Sequence, residues 1–399
     1  MIPLRIVPPL PAQLSADPDA AVLAVVRDDL ATLGLASSAV GLGIERREGE
    51  AWLRVSRAQL GTLRDELGRR GSPLALWLSR YLQPVPAWQL RTRALSLGET
   101  HIMGILNLTS DSFSGDGLGT DIARALAHAD RQRGEGACII DVGAESARAD
   151  RPVLEEGLEA ELMGNAIRAL VGEGHSVSAD TYKPSVAQAA LDSGAECVND
   201  ISGLTLGPRA AEAAQQAGAG YVLNYSFSVP KKRPHLPPRY ADVVGETNDW
   251  FADRLTQLET MGVARESIAI DPGIAFGKSH DEDLQVLRRL GEFAVHGQPV
   301  LIAHSRKNFL GSVSETPPAE RDLQTHVVSA LAWVAGARIF RVHDVAGTRK
   351  ALGVAQAIAG GSAGDYAPDA ESWPWRAGAA AVHMTAGAPD KAAPGGQRW

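Results

Sequence analysis

From residue 101 onward, short β-branched or apolar runs alternate eight times with longer segments of helical period. That rhythm predicts an α/β protein, a (β/α)8 TIM barrel preceded by a small α+β N-terminal domain. Two further observations support closure over an open sheet. The eight units fill roughly 250 residues, the span such a barrel needs. Polar residues also gather at the C-terminal ends of the runs, the rim on which barrels of this type build their sites.

The strand candidates, in order, are HIMGILNL, ACIIDVGAES, HSVSADT, ECVNDIS, GYVLNYS, SIAIDPG, QPVLIAHS and RIFRVHD. Between the second and third lies LEEGLEAELMGNAIRALV, where Leu154, Leu158, Leu162, Ala166 and Leu170 recur every fourth residue and predict a helix with that face buried. ADVVGETNDWFADRLTQLETMGV reads as another helix. Residues 1–97 break the rhythm. A helix-like AAVLAVVRDDLATLGL precedes a strand pair in VGLGIERREGEAWLRVS and a helix-like RAQLGTLRDELGRRG. Prolines at 84 and 86 mark the connection to the barrel, residues 98–360. The Gly-, Ala- and Pro-rich residues 361–399 are expected to be a disordered tail. No catalytic motif stands in residues 1–97, whose role the sequence leaves open.

The totals narrow the function. With 399 residues, 45% hydrophobic and 22% charged, the chain can bury a sizeable core. It holds no apolar stretch of the ~18 residues a membrane span requires, and the proline-rich N-terminus is a poor secretory signal. A net charge of −8 argues against nucleic acid as the main partner. Cys138 and Cys197, the only cysteines, read as reduced core residues, in keeping with a cytoplasmic protein.

The run ends carry the chemistry. NLTSDSFSGDGLG, residues 107–119, follows the first run with a density of turn formers and glycines that predicts a mobile loop. Asp141, Glu145 and Arg148 end the second run, Asp180 the third, and Asn199 with Asp200 the fourth. Asp271 and Lys278 follow the sixth; Ser305, Arg306 and Lys307 end the seventh; Arg341, His343 and Asp344 end the eighth. Acids and an amide converging with a lysine match the donors and acceptors of a flat heterocycle such as a pterin. A paired-carboxylate hydrolase site is the alternative on chemistry alone, but the nearby cations favour an anionic ligand. Arg341 and His343, two apart on one strand, share a face. With Arg306 and Lys307 they predict a phosphate or pyrophosphate site after strands seven and eight.

The motifs MGILNLTSDSFSGDG, DVGAESAR, SADTYKPSV, VNDISG, DPGIAFGK, HSRKNFLG and RVHDV, in that order, closely resemble the dihydropteroate synthase family over residues 101–356. The resemblance implies condensation of 6-hydroxymethyl-7,8-dihydropterin pyrophosphate with p-aminobenzoate, with release of pyrophosphate, in a homodimer. It implies that Asp180, Asn199, Asp271 and Lys307 hold the pterin, with Asp141 and Lys278 counted in the substrate-binding set. It implies that Asn107, Arg341 and His343 serve the pyrophosphate and its Mg²⁺, with Asn107 as metal ligand. Arg148, Phe276 and Ser305 are implied to face p-aminobenzoate, and the opening loop, with Phe113, to close over the site.

The chain departs from the family pattern at several places. Ala147-Arg148-Ala149-Asp150 replaces a hydroxyl residue followed by Arg-Pro-Gly, the opening loop reads SGDG, and Asn224-Tyr225-Ser226-Phe227-Ser228 replaces Met-His-Met-x-Gly. A pterin-binding methyltransferase-type barrel and a catalytically degenerate pterin-binding module are the alternatives to a working synthase.

Overall fold

The computed structural model describes residues 4–7, 22–26, 29–47, 50–108, 121–145, 153–227 and 240–359. The N-terminal elements are β1 (Leu4–Val7), β2 (Val22–Val26), α1 (Leu30–Ala39), β3 (Glu45–Arg47), β4 (Glu50–Val55), α2 (Arg57–Arg69) and α3 (Leu74–Leu82). The strands form an antiparallel sheet in the order β1-β2-β4-β3. Ser56 starts α2 with a capping box: its Oγ accepts from the Gln59 N–H at 3.2 Å, and Gln59 Oε1 accepts from the Ser56 N–H at 2.8 Å. Leu33, Leu53, Leu60, Leu67, Leu74 and Leu78 build a core that continues into Ala252 and Val295 of the barrel.

One N-terminal expectation is corrected. AAVLAVVRDDLATLGL is not one helix: Val22–Val26 is the strand β2 and the helix starts at Leu30. The run is short and rich in β-branched valine, which favours a strand, and the pairing of β2 with both β1 and β4 satisfies its backbone on both sides. The expected pair in VGLGIERREGEAWLRVS is β3 and β4.

The hairpin β5 (Ala87–Gln89) and β6 (Ala94–Ser96) leads into the barrel. The barrel proceeds β7 (His101–Asn107), α4 (Ile122–Glu135), β8 (Ile139–Gly143), α5 (Glu156–Gly172), β9 (Val177–Asp180), α6 (Pro184–Asp192), β10 (Cys197–Asp200) and α7 (Arg209–Gln216). It continues β11 (Gly220–Asn224), α8 (Val243–Thr260), β12 (Ile268–Asp271), α9 (His280–Arg288), β13 (Leu301–Ile302), α10 (Asn308–Ser314), α11 (Asp322–Val334), β14 (Ile339–Val342) and α12 (Val345–Ala359). All barrel pairings are parallel, in the order β12-β11-β10-β9-β8-β7-β14-β13, and a parallel bridge from Ile270 to Val300 joins the two ends.

Strand side chains alternate, so each strand serves two cores. Ile102, Ile140, Val198, Ile268 and Phe340 face outward and pack on the helices. Met103, Ile139, Cys197, Leu301 and Ile339 face inward with Trp88, Leu90 and Leu95 of the hairpin, which fill the N-terminal end of the barrel. Trp88 is fully buried and its Nε1 donates to the Ser267 carbonyl at 2.9 Å. Gly220 lets the plug in, since a Cβ there would lie 2.8 Å from Leu90 Cδ2. Among the described residues both cysteines are free, and no helix is long and apolar enough to cross a membrane.

The buried face of α5 also differs from expectation. Glu159, Met163, Ala166, Ile167 and Leu170 are buried, while Leu158 is exposed. A four-residue recurrence drifts roughly 40° per step around a helix of 3.6 residues per turn, so it cannot hold one face for four turns. The burial of Glu159 depends on its partner Lys183. The expected tail, 361–399, lies outside the described residues.

Candidate active site

The polar rim follows from the same alternation. On four strands an inward polar side chain stands two residues beyond an inward apolar one: Ile139 then Asp141, Cys197 then Asn199, Ala269 then Asp271, Ile339 then Arg341. Register sets Asn199 beside Asp180 and Asn224 beside Asp271. Asp200, on the opposite parity, turns into the outer layer, where its carboxylate accepts from Tyr221 Oη at 2.5 Å and the Ser202 N–H at 2.7 Å. Asp344 accepts from the Gly347 N–H at 3.1 Å and pairs with His326 at 3.0 Å. Both are structural.

The centre of the site is a chain of charged hydrogen bonds. Asp141 is fully buried, and its Oδ2 accepts from Asn199 Nδ2 at 3.1 Å and from Arg341 Nε. Arg341 Nη2 donates to Asp180 Oδ2 at 2.5 Å. Asp141 Oδ1 has no hydrogen-bond partner among the described residues, an acceptor left over in a buried place. Burial pushes the Asp180 carboxyl up to about 7; Arg341 opposes this, and Asp141 and Glu159 add to it.

The loop after β12 supplies the second half. Asp271 Oδ1 accepts from the Gly273 N–H at 2.8 Å. Gly273 has φ +69° and lies so close to Tyr225 that a Cβ would stand 2.2 Å from its carbonyl oxygen, so this turn requires glycine. Lys307 Nζ donates to the Ile274 carbonyl at 2.6 Å and sits 4.9 Å from the Phe276 ring centroid. Lys278 Nζ donates to the carbonyls of Pro272 and Gly273 at 2.9 and 3.1 Å and lies 3.8 Å from the Tyr225 ring centroid. Burial brings Lys307 down to about 8 and Lys278 down to about 7, with Asp271 and Asp283 opposing in both cases. Burial likewise pushes the Asp271 carboxyl up, against the pull of Lys307. Asp283 holds the loop by accepting from the Ala275 N–H at 2.8 Å.

At the ends of β13 and β14, Ser305 Oγ bonds His343 Nδ1 at 2.8 Å and accepts from the His343 N–H at 3.2 Å. Arg306 turns away: its guanidinium grips Asp322 through Nε at 2.7 Å and Nη2 at 2.8 Å. The expected phosphate cations are therefore Lys307, Arg341 and His343, with Arg306 anchoring the start of α11. Asn107 is half-buried at the end of β7, opposite Gly143 of β8.

Asp141, Asp180, Asn199 and Arg341 are thus joined by direct bonds, Asp271, Phe276 and Lys278 share the loop after β12, to which Lys307 is tied through Ile274, and Ser305 is joined to His343. Phe113, Thr109, Ala147 and Arg148 lie outside the described residues. The sequence reading missed Lys183, Glu159, Tyr182, Tyr225 and Asp283 as parts of the site's frame. SADTYKPSV displays Lys183, but nothing local in it points to the buried Glu159 one helix earlier.

A parallel eight-stranded barrel whose rim carries buried acids, an amide and cations is the architecture of the family that this chain matches. The family described as "Pterin binding enzyme" matches residues 103–343. The dihydropteroate synthase of Mycobacterium leprae is 37% identical over 266 residues, which cover 65% of this chain and 94% of that protein. That of Escherichia coli K12 is 36% identical, covering 66% and 93%. The structure of the Yersinia pestis enzyme with a sulfonamide drug superposes with a TM-score of 0.65 at 33% identity, over 68% of this chain and 98% of that one. The Thermus thermophilus enzyme in complex with 4-aminobenzoate gives 0.61 at 35% identity, over 68% and 99%. The chain belongs to the dihydropteroate synthase family, transferases of folate biosynthesis.

Proposed function

We propose that Asp180, Asn199, Asp271 and Lys307 hold the pterin of 6-hydroxymethyl-7,8-dihydropterin pyrophosphate, with Asp141 and Lys278 fixing their frame. The observation that carries this reading is the buried chain Asn199–Asp141–Arg341–Asp180, which brings four strands' polar ends to one point. Acids accept from the ring N–H and amino groups; Asn199 and Lys307 donate to the carbonyl and ring nitrogens. Arg341 and His343 take the pyrophosphate, with Ser305 setting the His343 ring through Nδ1. Phe276, beneath Lys307, and Ser305 border the p-aminobenzoate, whose carboxylate is assigned to Arg148.

In the reaction the arylamine nitrogen bonds to the pterin methylene carbon, pyrophosphate departs with the electron pair of the breaking C–O bond, and one proton leaves the nitrogen. Cationic side chains aimed at the departing oxygens stabilise the charge that develops there. No covalent enzyme intermediate is needed. Asn107, a neutral oxygen donor at a strand end, fits Mg²⁺, which takes few protein ligands and completes its shell with phosphate oxygens and water. Bound with the pyrophosphate, the ion would neutralise charge on the leaving group. The opening loop, with Phe113, is assigned the covering of the site.

The Thermus thermophilus enzyme in complex with 6HMPPP and with 4-aminobenzoate supports these substrates. A homodimer is supported by an apolar face: Leu323, Val327 and Leu331 recur every fourth residue on α11 and are more than half exposed, as are Val354 and Ile358 on α12. Val327→Asp is expected to convert a dimer to a monomer in sedimentation, and a wild-type monomer would end this reading. The free thiols Cys138 and Cys197 are in keeping with a reducing, cytoplasmic setting. The direct test of function is incubation with pterin pyrophosphate, p-aminobenzoate and Mg²⁺, with dihydropteroate as the expected product; a folded protein forming none would overturn it.

A further inference from the structure

Asn224 ends β11, the strand that lies between β10 with Asn199 and β12 with Asp271, and it is only 2% exposed. It shares the inward parity of the rim. Two residues before it, Val222 packs in the inner core with Cys197 and Ala269, and the register partner of Asn224 itself is Asp271. Its amide nitrogen is taken up by backbone: Nδ2 donates to the Tyr225 carbonyl at 2.9 Å and to the Ile201 carbonyl at 3.4 Å. Those two carbonyls fix which end of the amide is nitrogen and leave Oδ1 as an acceptor, to which no donor among the described residues is bonded. An acceptor in so enclosed a place is costly to leave without a donor, and a ligand N–H would satisfy it.

We propose that Asn224 is a further pterin-binding residue, whose Oδ1 accepts from the exocyclic amino group of the heterocycle and makes the site selective for it. The proposal rests on the reading of this site as a pterin pocket. A pterin offers one ring N–H beside an amino group with two hydrogens. A carboxylate such as Asp271 can take the ring N–H and one amino hydrogen side by side, as it takes the parallel N–H groups of a guanidinium. The second amino hydrogen points away from that carboxylate and needs an acceptor of its own. Asn224, on the neighbouring strand and level with Asp271, offers one without setting another negative charge beside it.

The test is calorimetry on the full chain with the pterin pyrophosphate and with its counterpart lacking the exocyclic amino group. Wild type is expected to prefer the first. In Asn224→Leu that preference should fall about fivefold, the scale of one hydrogen bond, with KM for p-aminobenzoate within about twofold of wild type. Asn224→Asp keeps an oxygen at that place but cannot donate to the Tyr225 and Ile201 carbonyls, so the preference should persist in it. An undiminished preference in folded Asn224→Leu would overturn the proposal. So would an equal loss of affinity for both ligands in the Leu and Asp variants, which would assign Asn224 to holding the turn. If Asn224→Leu does not fold, Asn224→Ala carries the test: the same fall supports the proposal and an undiminished preference overturns it. A wild type that binds neither ligand removes the pterin pocket and the proposal with it, whereas failure of the variants beside a wild type that binds the pterin pyrophosphate removes the role of Asn224 alone.

Discussion

Asp180, proposed for the pterin pocket, already accepts from Arg341 through one of its oxygens. Asp180→Asn is expected to weaken pterin binding by ~1–3 kcal/mol, the scale of a lost charge-assisted hydrogen bond, and to leave Arg341 with Asp141 as its remaining carboxylate. Calorimetry showing unaltered affinity would remove Asp180 from the pocket. Neighbouring cations in HSRKNFLG should separate cleanly. Arg306→Ala breaks a pairing with Asp322 and should lower the melting temperature with kcat nearly kept. Lys307→Ala removes a group held at the pocket by Ile274 and should abolish most turnover. Sequence placed these two side chains, one arginine and one lysine, in one cationic cluster; it could not show that adjacent residues on a turn point to opposite sides. For the same reason Asp200 and Asp344, polar residues at strand ends like their neighbours, belong to the frame.

At the scale of elements, the hairpin β5–β6 is the piece whose importance no motif announced. Trp88 and Leu90 are fully buried and Leu95 nearly so, inside the barrel's N-terminal end. Removing them strips apolar surface from the barrel floor, and each large side chain lost from a core costs about 3–5 kcal/mol. A chain starting at Val85 is expected to keep cooperative unfolding and synthase turnover, and one starting at Leu97 to lose both. Equal melting curves for the two truncated proteins would show that the plug is dispensable. Strand positions were readable because alternating and apolar runs are local signals, and all eight barrel runs are strands at the expected places. The burial of α5 was not, because Glu159 is drawn inward by Lys183, 24 residues away.

For the whole molecule, buried neutral histidines set an acid limit. His304 is fully buried, with Nε2 bonded to the Thr325 carbonyl at 3.0 Å and Ser329 Oγ at 2.9 Å. Burial lowers its pKa to about 4, with Lys307 adding to the effect and the backbone hydrogen bonds opposing it. The unfolded chain takes up this proton near pH 6.5 and the folded protein only near 4, so its share of stability is intact above 6.5 and lost as pH falls toward 4. The slope is about 1.4 kcal/mol per pH unit in that window. Urea unfolding at pH 7.5 and 5.5 should show wild type losing roughly 1 kcal/mol more than His304→Gln. Matching losses would mean that His304 titrates normally. The buried acids Asp180, Asp271 and Asp283 work in the opposite sense, which is why the difference between variants is the quantity to measure.

Sequence by itself determined the barrel, its eight strands in order and the polar side chains that end them. These are consequences of local period: two residues per repeat sends one set of side chains outward to the helices and the other inward, first apolar, then polar. Tertiary structure alone decided the pairings. Arg341 meets Asp141 across 200 residues, Lys183 meets Glu145 across 38, and Trp88 reaches Ser267 across 179. A side chain's type states what it can bond to, but which partner it finds in a buried place is settled only when sheet closure brings distant strand ends together and leaves each charge no water to turn to.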